Sequence, residues 1–261
     1  MDVVALLPRH LLSHLRIVLG SDHAPVIASG WADLHVIVQR GPVDLVVADP
    51  LVTGDAHADV LEGLKRQFSS VAIVVYTSLS PRSMQAVVRL ARCGVEHVVL
   101  HRFDDEPRRF LELLESIPSN ALGDRMLREL AMPVSALPVV VGRAVESLFR
   151  SPGRFQNSGD LASAAGMNLR TLYRNLEPAG LYSARSLVVA ARLLRAYGYL
   201  RDPGRSIKDV AAKAGYHSAW QLSRQMREMT GMTAEQVRRE LDGEMIVSLL
   251  AEQVRRRRRK A

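Results

Sequence analysis

The chain has 261 residues, 48% hydrophobic and 24% charged, with a formal net charge of +8. That length suggests one large domain or two ordinary ones, either able to bury a real core. No apolar run approaches a membrane span, the acid in the opening "MDVVALLPRH" argues against a signal peptide, and the single cysteine, Cys93, excludes an internal disulfide and a multi-cysteine zinc site; together these fit a cytoplasmic protein.

Through the first 117 residues, short β-rich runs alternate with helical patterns. "DVVALL" (2–7), "APVIAS" (24–29), "VDLVVAD" (43–49), "VAIVVYT" (71–77) and "VEHVVL" (95–100) read as strands. The segments 8–20, 31–41, 56–68, 81–94 and 106–117 read as the helices that follow them. Strands this continuously apolar are expected where both sheet faces are covered. Five β-α units predict a parallel, doubly wound α/β domain. Ligands in such sheets bind beyond the carboxyl ends of the strands, here Leu7, Pro8, Ser29, Gly30, Asp49, Thr77, Ser78 and His101. No Gly-rich phosphate loop follows the first strand, which argues against a dinucleotide site. His10, Asp49 and His101 are expected near one rim of the sheet. Ordinary loop histidines are the default reading there, because zinc takes three or four firm protein ligands.

Residues 118–136, "PSNALGDRMLRELAMPVSA", read as a linker, with a short helix at 122–131 acting as spacer or dimer contact. Pro133 and Pro138 are expected to interrupt any continuous helix.

Charge changes sign across this boundary. Residues 1–117 carry 11 Lys+Arg against 14 Asp+Glu, and residues 118–261 carry 24 against 13. A basic half suggests a polyanion-binding domain. It also holds an internal repeat. "NSGDLASAAGMNLRTLYRNL" (157–176) aligns with "SIKDVAAKAGYHSAWQLSRQM" (206–226), with one residue inserted after the glycine. Asn157 with Asp160, and Ser206 with Asp209, have capping-box spacing. Gly166 and Gly215 fall where a turn needs positive φ. Asn168 and Ser218 are good N-caps for the next helix. Leu172 with Leu176, and Leu222 with Met226, point inward at i,i+4. The outward face is left to Arg170, Tyr173 and Arg174 in one copy and to Trp220, Gln221 and Arg224 in the other. Tyr173 and Trp220 also carry a packing alternative, as core aromatics. The helix between the copies, 183–200, is about 27 Å long. That length suits two reading helices about 34 Å apart, one turn of DNA. Residues 243–261 read as a short amphipathic helix ending in the basic run "RRRRRK" (255–260), a tail for phosphate contact or simply a frayed end.

Two resemblances follow from these residues. Residues 1–117 resemble the response-regulator receiver domain. By that resemblance Asp49 is the phosphoacceptor position, Thr77 the switch hydroxyl, and "GVEHVVLHR" the fifth-strand segment. The family's acidic pair after the first strand is replaced here by Leu6 and Leu7, and its lysine by His101. Phosphoryl transfer to a carboxylate needs Mg²⁺ held by carboxylates and water, so the reading is a pseudo-receiver in which Asp49 caps the following loop. Residues 137–242 resemble the AraC/XylS-type DNA-binding domain, an all-α fold with two helix-turn-helix units. That resemblance makes 168–177 and 218–229 recognition helices, with base-reading positions at Arg170, Tyr173, Arg174, Trp220, Gln221 and Arg224. Asn168, Ser218 and the helix N-termini are placed for phosphate. Leu222, Met226 and Ala234 depart from the family's aromatic and proline positions but keep an apolar core or a helix start. Arg pairs bidentately with guanine and Gln with adenine.

The expectation is a sequence-specific transcription regulator without catalytic activity, metal or cofactor. Its partners are double-stranded DNA, a second copy of the chain and, as a further candidate, RNA polymerase, with no membrane. The first domain would supply a phosphorylation-independent input or a dimer contact. The alternatives are a regulator switched by phosphorylation at Asp49 or one that senses a small molecule.

Overall fold

The computed structural model describes residues 2–255 apart from 21–22, 42, 55–56, 69 and 118–120. The chain divides into two compact units, whose main segments are Met1–Pro118 and, for the second, Ser119–Leu200 with Arg205–Ala261. No helix among the described residues is long and apolar enough to cross a membrane.

The first unit runs β1 (Val3–Leu6), α1 (Arg9–Leu19), β2 (Val26–Ile27), α2 (Trp31–Arg40), β3 (Leu45–Ala48), α3 (Ala58–Gln67), β4 (Ala72–Thr77), α4 (Pro81–Arg92), β5 (His97–Leu100) and α5 (Pro107–Ser116). All neighbouring strands are parallel, in the order β2-β1-β3-β4-β5. Alternation along the strands supplies two cores. Val4, Leu6, Val46, Ala48, Ile73 and Val75 face one side and pack with Leu34, Leu61, Leu64 and Leu90. Val3, Ala5, Leu45, Val47, Val74 and Tyr76 face the other and pack with Leu11, Leu15, Phe110 and Leu114. The α/β fold is the one expected, and its strand order is that of doubly wound flavodoxin-like sheets, receivers included. The second strand is shorter than its apolar run. Val26 and Ile27 lie on the sheet edge and are exposed, so pairing extends only where β1 meets them.

The second unit is all helical: α6 (Ala121–Glu129), α7 (Ala131–Ser135), α8 (Val139–Arg150), α9 (Ser158–Ala164), α10 (Leu169–Leu176), α11 (Ala184–Arg201), α12 (Ile207–Lys213), α13 (Ala219–Thr230), α14 (Ala234–Glu240) and α15 (Gly243–Val254). Leu187, Val188, Ala191, Leu194 and Tyr197 of α11 lie in one continuous core with residues from α6, α8 and every later helix.

Two expectations about this half are corrected. The short helix expected at 122–131 is present as α6, but the described part of the stretch read as a linker, 121–136, is no mere spacer: it forms α6 and α7, and Met126 and Leu130 are fully buried in the core. These two lie one helical turn apart and close an apolar stripe with Leu122 and Leu127, which pack against the same core. Pro133 is accommodated in the first turn of α7, where a missing N–H costs little. The stretch read as a tail, 243–261, begins as a core helix. Asp242 caps α15 through Met245 N–H at 2.8 Å, and Ile246, Val247, Leu250, Ala251 and Val254 are buried. Tyr182 N–H donates to the Val254 carbonyl at 2.8 Å, and Arg125 pairs with Glu244 at 2.7 Å. Arg255 binds the Glu129 carbonyl; the rest of the basic run, 256–260, lies outside the described residues.

Leu250→Ala is therefore expected to lower unfolding free energy by about 2–5 kcal/mol, the cost of a cavity in a closed core. Denaturant titration checks this. A loss below about 0.5 kcal/mol, typical of surface substitutions, would return α15 to the status of a frayed tail.

Candidate nucleic-acid interface

The two repeats share the same turn and the same cap on the second helix. In the first, Gly166 takes φ +65° and Met167 N–H closes on Ala162 O at 3.0 Å. In the second, Gly215 takes φ +76° and Tyr216 N–H closes on Ala211 O at 2.8 Å. A side chain at either glycine would be strained in this left-handed region. Asn168 Oδ1 accepts from Thr171 N–H at 2.9 Å, and Ser218 Oγ accepts from Gln221 N–H at 3.2 Å. Each cap uses an oxygen lone pair, which leaves the Asn168 amide hydrogens and the Ser218 hydroxyl hydrogen to donate outward. Capping and phosphate contact are thus compatible at both positions.

Leu172, Leu176, Leu222 and Met226 are buried, which fixes the opposite faces of α10 and α13 toward solvent. Arg170, Tyr173 and Arg174 are exposed on α10, and Trp220 and Arg224 on α13, with Gln221 half-buried beside them. Trp220 is 68% exposed, so it is not a core aromatic; Tyr173, at 37%, also reaches the surface. The buried aromatic of the second repeat is Tyr216, whose burial pushes its hydroxyl up to about 12.

On α13 these side chains are already organised. Arg224 Nε donates to Glu228 Oε1 at 2.8 Å, and its guanidinium lies 5.4 Å from the centre of the Trp220 ring. The pair engages Nε, so the N–H groups of the two terminal guanidinium nitrogens are left as donors. Gln221 Oε1 accepts from His217 N–H at 3.0 Å. Its amide nitrogen therefore donates, and bidentate adenine reading requires that cap to open. Trp220, Gln221 and Arg224 line a concavity of about 390 Å³ with Arg185, His217 and Glu228. Arg185 comes from α11, and no local pattern in the sequence points to it.

Residues 161–240, from α9 to the end of α14, match the family model described as a helix-turn-helix domain. This part of the chain is an AraC-type helix-turn-helix domain. Such domains bind DNA and belong to transcription regulators. The chain is also similar to full-length FixJ from B. japonicum, at 18% identity and a TM-score of 0.40, over 86% of this chain and 94% of that one. No curated protein matches it.

In the first unit, polar side chains at the strand ends bond to one another and to nearby backbone. Asp49 is buried at the end of β3; its Oδ1 accepts from Leu51 N–H at 3.0 Å and from the Thr77 hydroxyl at 2.9 Å. Burial raises its carboxyl above the ordinary 3.8, and the bonds from Leu51 and Thr77, with His10 nearby, offset only part of that. Leu6 and Leu7 are buried at the end of β1, where a magnesium site would need carboxylates. With apolar side chains at that position, Asp49 lacks the neighbouring carboxylates that would share the cation's charge, and the donor set is a poor fit for Mg²⁺.

His10 and His101 do approach, with ring centroids 5.6 Å apart. His101 is occupied in a network that the sequence does not announce. Tyr76 Oη donates to Asp105 Oδ2 at 2.6 Å, His101 Nδ1 lies 2.6 Å from the same oxygen, and His14 Nδ1 lies 3.0 Å from Tyr76 Oη. Asp105 Oδ1 accepts from Arg102 N–H at 2.8 Å, holding Arg102 at φ +68°. Burial works to raise the Asp105 carboxyl, yet the bonds from Tyr76, His101 and Arg102 outweigh it and hold the group below 3.8.

Asp49 supplies a test. Because its folded pKa is raised, the charged form costs stability at neutral pH, and the cost disappears below the unfolded value near 3.8. Asp49→Asn keeps the Oδ1 acceptor and removes the charge. It is expected to raise the unfolding midpoint at pH 7, by about 2–4 °C per kcal/mol gained. The gain should shrink as pH falls toward 3.8. An unchanged or lower midpoint at pH 7 would show that the charge is stabilised by its neighbours.

Proposed function

We propose that the chain is a sequence-specific regulator of transcription in which α10 and α13 read successive major grooves. The first unit then supplies an input or a dimer contact that needs no phosphoryl transfer at Asp49, and the regulator acts as a homodimer on double-stranded DNA. The observation that carries this reading is the matched pair of second helices, each burying two apolar residues and exposing arginine and an aromatic ring. Arg170, Arg174 and Arg224 supply donor forks for guanine. Tyr173 and Trp220 supply faces for a thymine methyl or the sugar backbone. Asn168 and Ser218, at the helix N-termini, take phosphate and fix the register. The cationic side chains make binding fall with added salt.

Selection of duplexes from a random pool by the full chain, followed by footprinting, tests this. Two short protected blocks about one helical turn apart are expected. Arg174→Ala should relax the block under α10 and Arg224→Ala the block under α13, each by about 1–3 kcal/mol of discrimination. Asp49→Asn should leave affinity unchanged with or without acetyl phosphate. Sequence-blind binding, indifferent to both arginines, would make the repeat a packed scaffold. A gain in affinity that needs both acetyl phosphate and Asp49 would make the first unit a phosphorylation switch.

A further inference from the structure

Arg192 lies midway along α11 and reaches the turn of the second helix-turn-helix. Its Nε donates to the Ala214 carbonyl at 3.3 Å, and its Nη2 donates to the Gly215 carbonyl. Its guanidinium also covers the Tyr216 ring, 4.2 Å from the centroid. One side chain thus engages three successive residues, the first three of the five that join α12 to α13. Ala214 is the C-cap of α12, where a cation complements the unsatisfied carbonyls. Only His217 separates Tyr216 from Ser218, the cap of α13. Fixing Tyr216 therefore fixes where α13 begins.

The first repeat is held differently. There Asn175, on α10 itself, points its amide at the Met167 sulfur at 3.6 Å and donates to Thr171 O at 2.9 Å. That contact is internal to the repeat. Arg192 instead joins the second repeat to the helix that arrives from the first.

We propose that Arg192 is a positioning residue that locks α13 to α11 and thereby sets the spacing between half-sites that one chain accepts. The proposal rests on the reading that α10 and α13 both enter the major groove. A planar fork is needed, because the same group must donate along its edge to two carbonyls while stacking its face on Tyr216. Lysine, a point charge, can satisfy a carbonyl but not both geometries at once.

The test uses the full chain and its selected duplex, together with duplexes that have one base pair inserted or removed between the protected blocks. Each such change shifts one block by about 3.4 Å and rotates it about the axis. The unsubstituted chain should lose at least about tenfold in affinity on either change, as for a broken half-site. Arg192→Met should bind the selected duplex about tenfold more weakly, yet lose less than about threefold on a spacing change, with its circular dichroism unaltered. Arg192→Lys should fall between the two.

A variant with the unsubstituted chain's spacing penalty overturns the proposal, because a merely structural arginine would weaken all spacings alike. If Arg192→Met does not fold, Arg192→Lys decides: the original affinity and penalty with lysine overturn the need for the planar fork. If the unsubstituted chain itself gives no two-block site, the functional reading fails and takes this inference with it. A two-block site with an unchanged penalty in the variants sinks this inference alone.

Discussion

Helix α11 has almost no free surface, and the second unit follows from that. Twelve of its eighteen residues are buried, including Leu187, Val188, Leu193, Leu194, Tyr197 and Leu200. A helix apolar on nearly every side is stable only when other helices cover it. The two helix-turn-helix repeats cannot supply that cover alone. α6, α8 and α15 close the remainder, which is why Met126, Val145 and Leu250 are buried in the same core. Helices of seven and eight residues, such as α9, α10 and α12, are too short to persist in isolation. Their order comes from this packing and from the caps at Asn157, Asn168 and Ser206.

The same constraint gives the surface its precision. Leu172 and Leu176 anchor α10 by one stripe, and Leu222 and Met226 anchor α13 by the equivalent stripe. What remains outward is decided by helical periodicity alone, so Arg174 and Arg224 emerge at corresponding places. A reading side chain that must meet a base edge within a few tenths of an ångström needs a backbone that does not move. Glu228 and Trp220 go a step further, holding the Arg224 guanidinium before any partner arrives. That lowers the side-chain entropy lost on binding.

Much of this was legible in the sequence because it is local. Alternating apolar runs gave the parallel sheet, and the repeated caps, glycines and i,i+4 pairs gave both helix-turn-helix units. The helices α10 and α13 fall within a residue or so of their expected ends. What the sequence hid is long-range. The segment 118–136 looked like a linker carrying only a short helix, because two prolines and a glycine outweighed the spacing of Met126 and Leu130. The segment 243–254 looked like a tail because a run of arginines follows it. Neither sign reveals that α11 has an uncovered side. Arg185 and Arg192 were also missed, since each acts on α13 or its turn from another helix, and no spacing rule reaches across 20 to 40 residues.

The first unit combines a familiar strand order with apolar side chains at the end of its first strand. The sheet is covered on both faces, and Leu6 and Leu7 satisfy that better than a pair of carboxylates would. Asp49 is a buried carboxyl, and the Thr77 hydroxyl and Leu51 N–H supply part of what it needs. The network around Tyr76 has the same character: Asp105 accepts from the Tyr76 hydroxyl and the Arg102 N–H, with His101 beside it. An incoming polar ligand that competed for these bonded atoms would have to break an existing bond for each one it formed. The net gain from such an exchange is small, while stranding a buried partner costs about 1–3 kcal/mol.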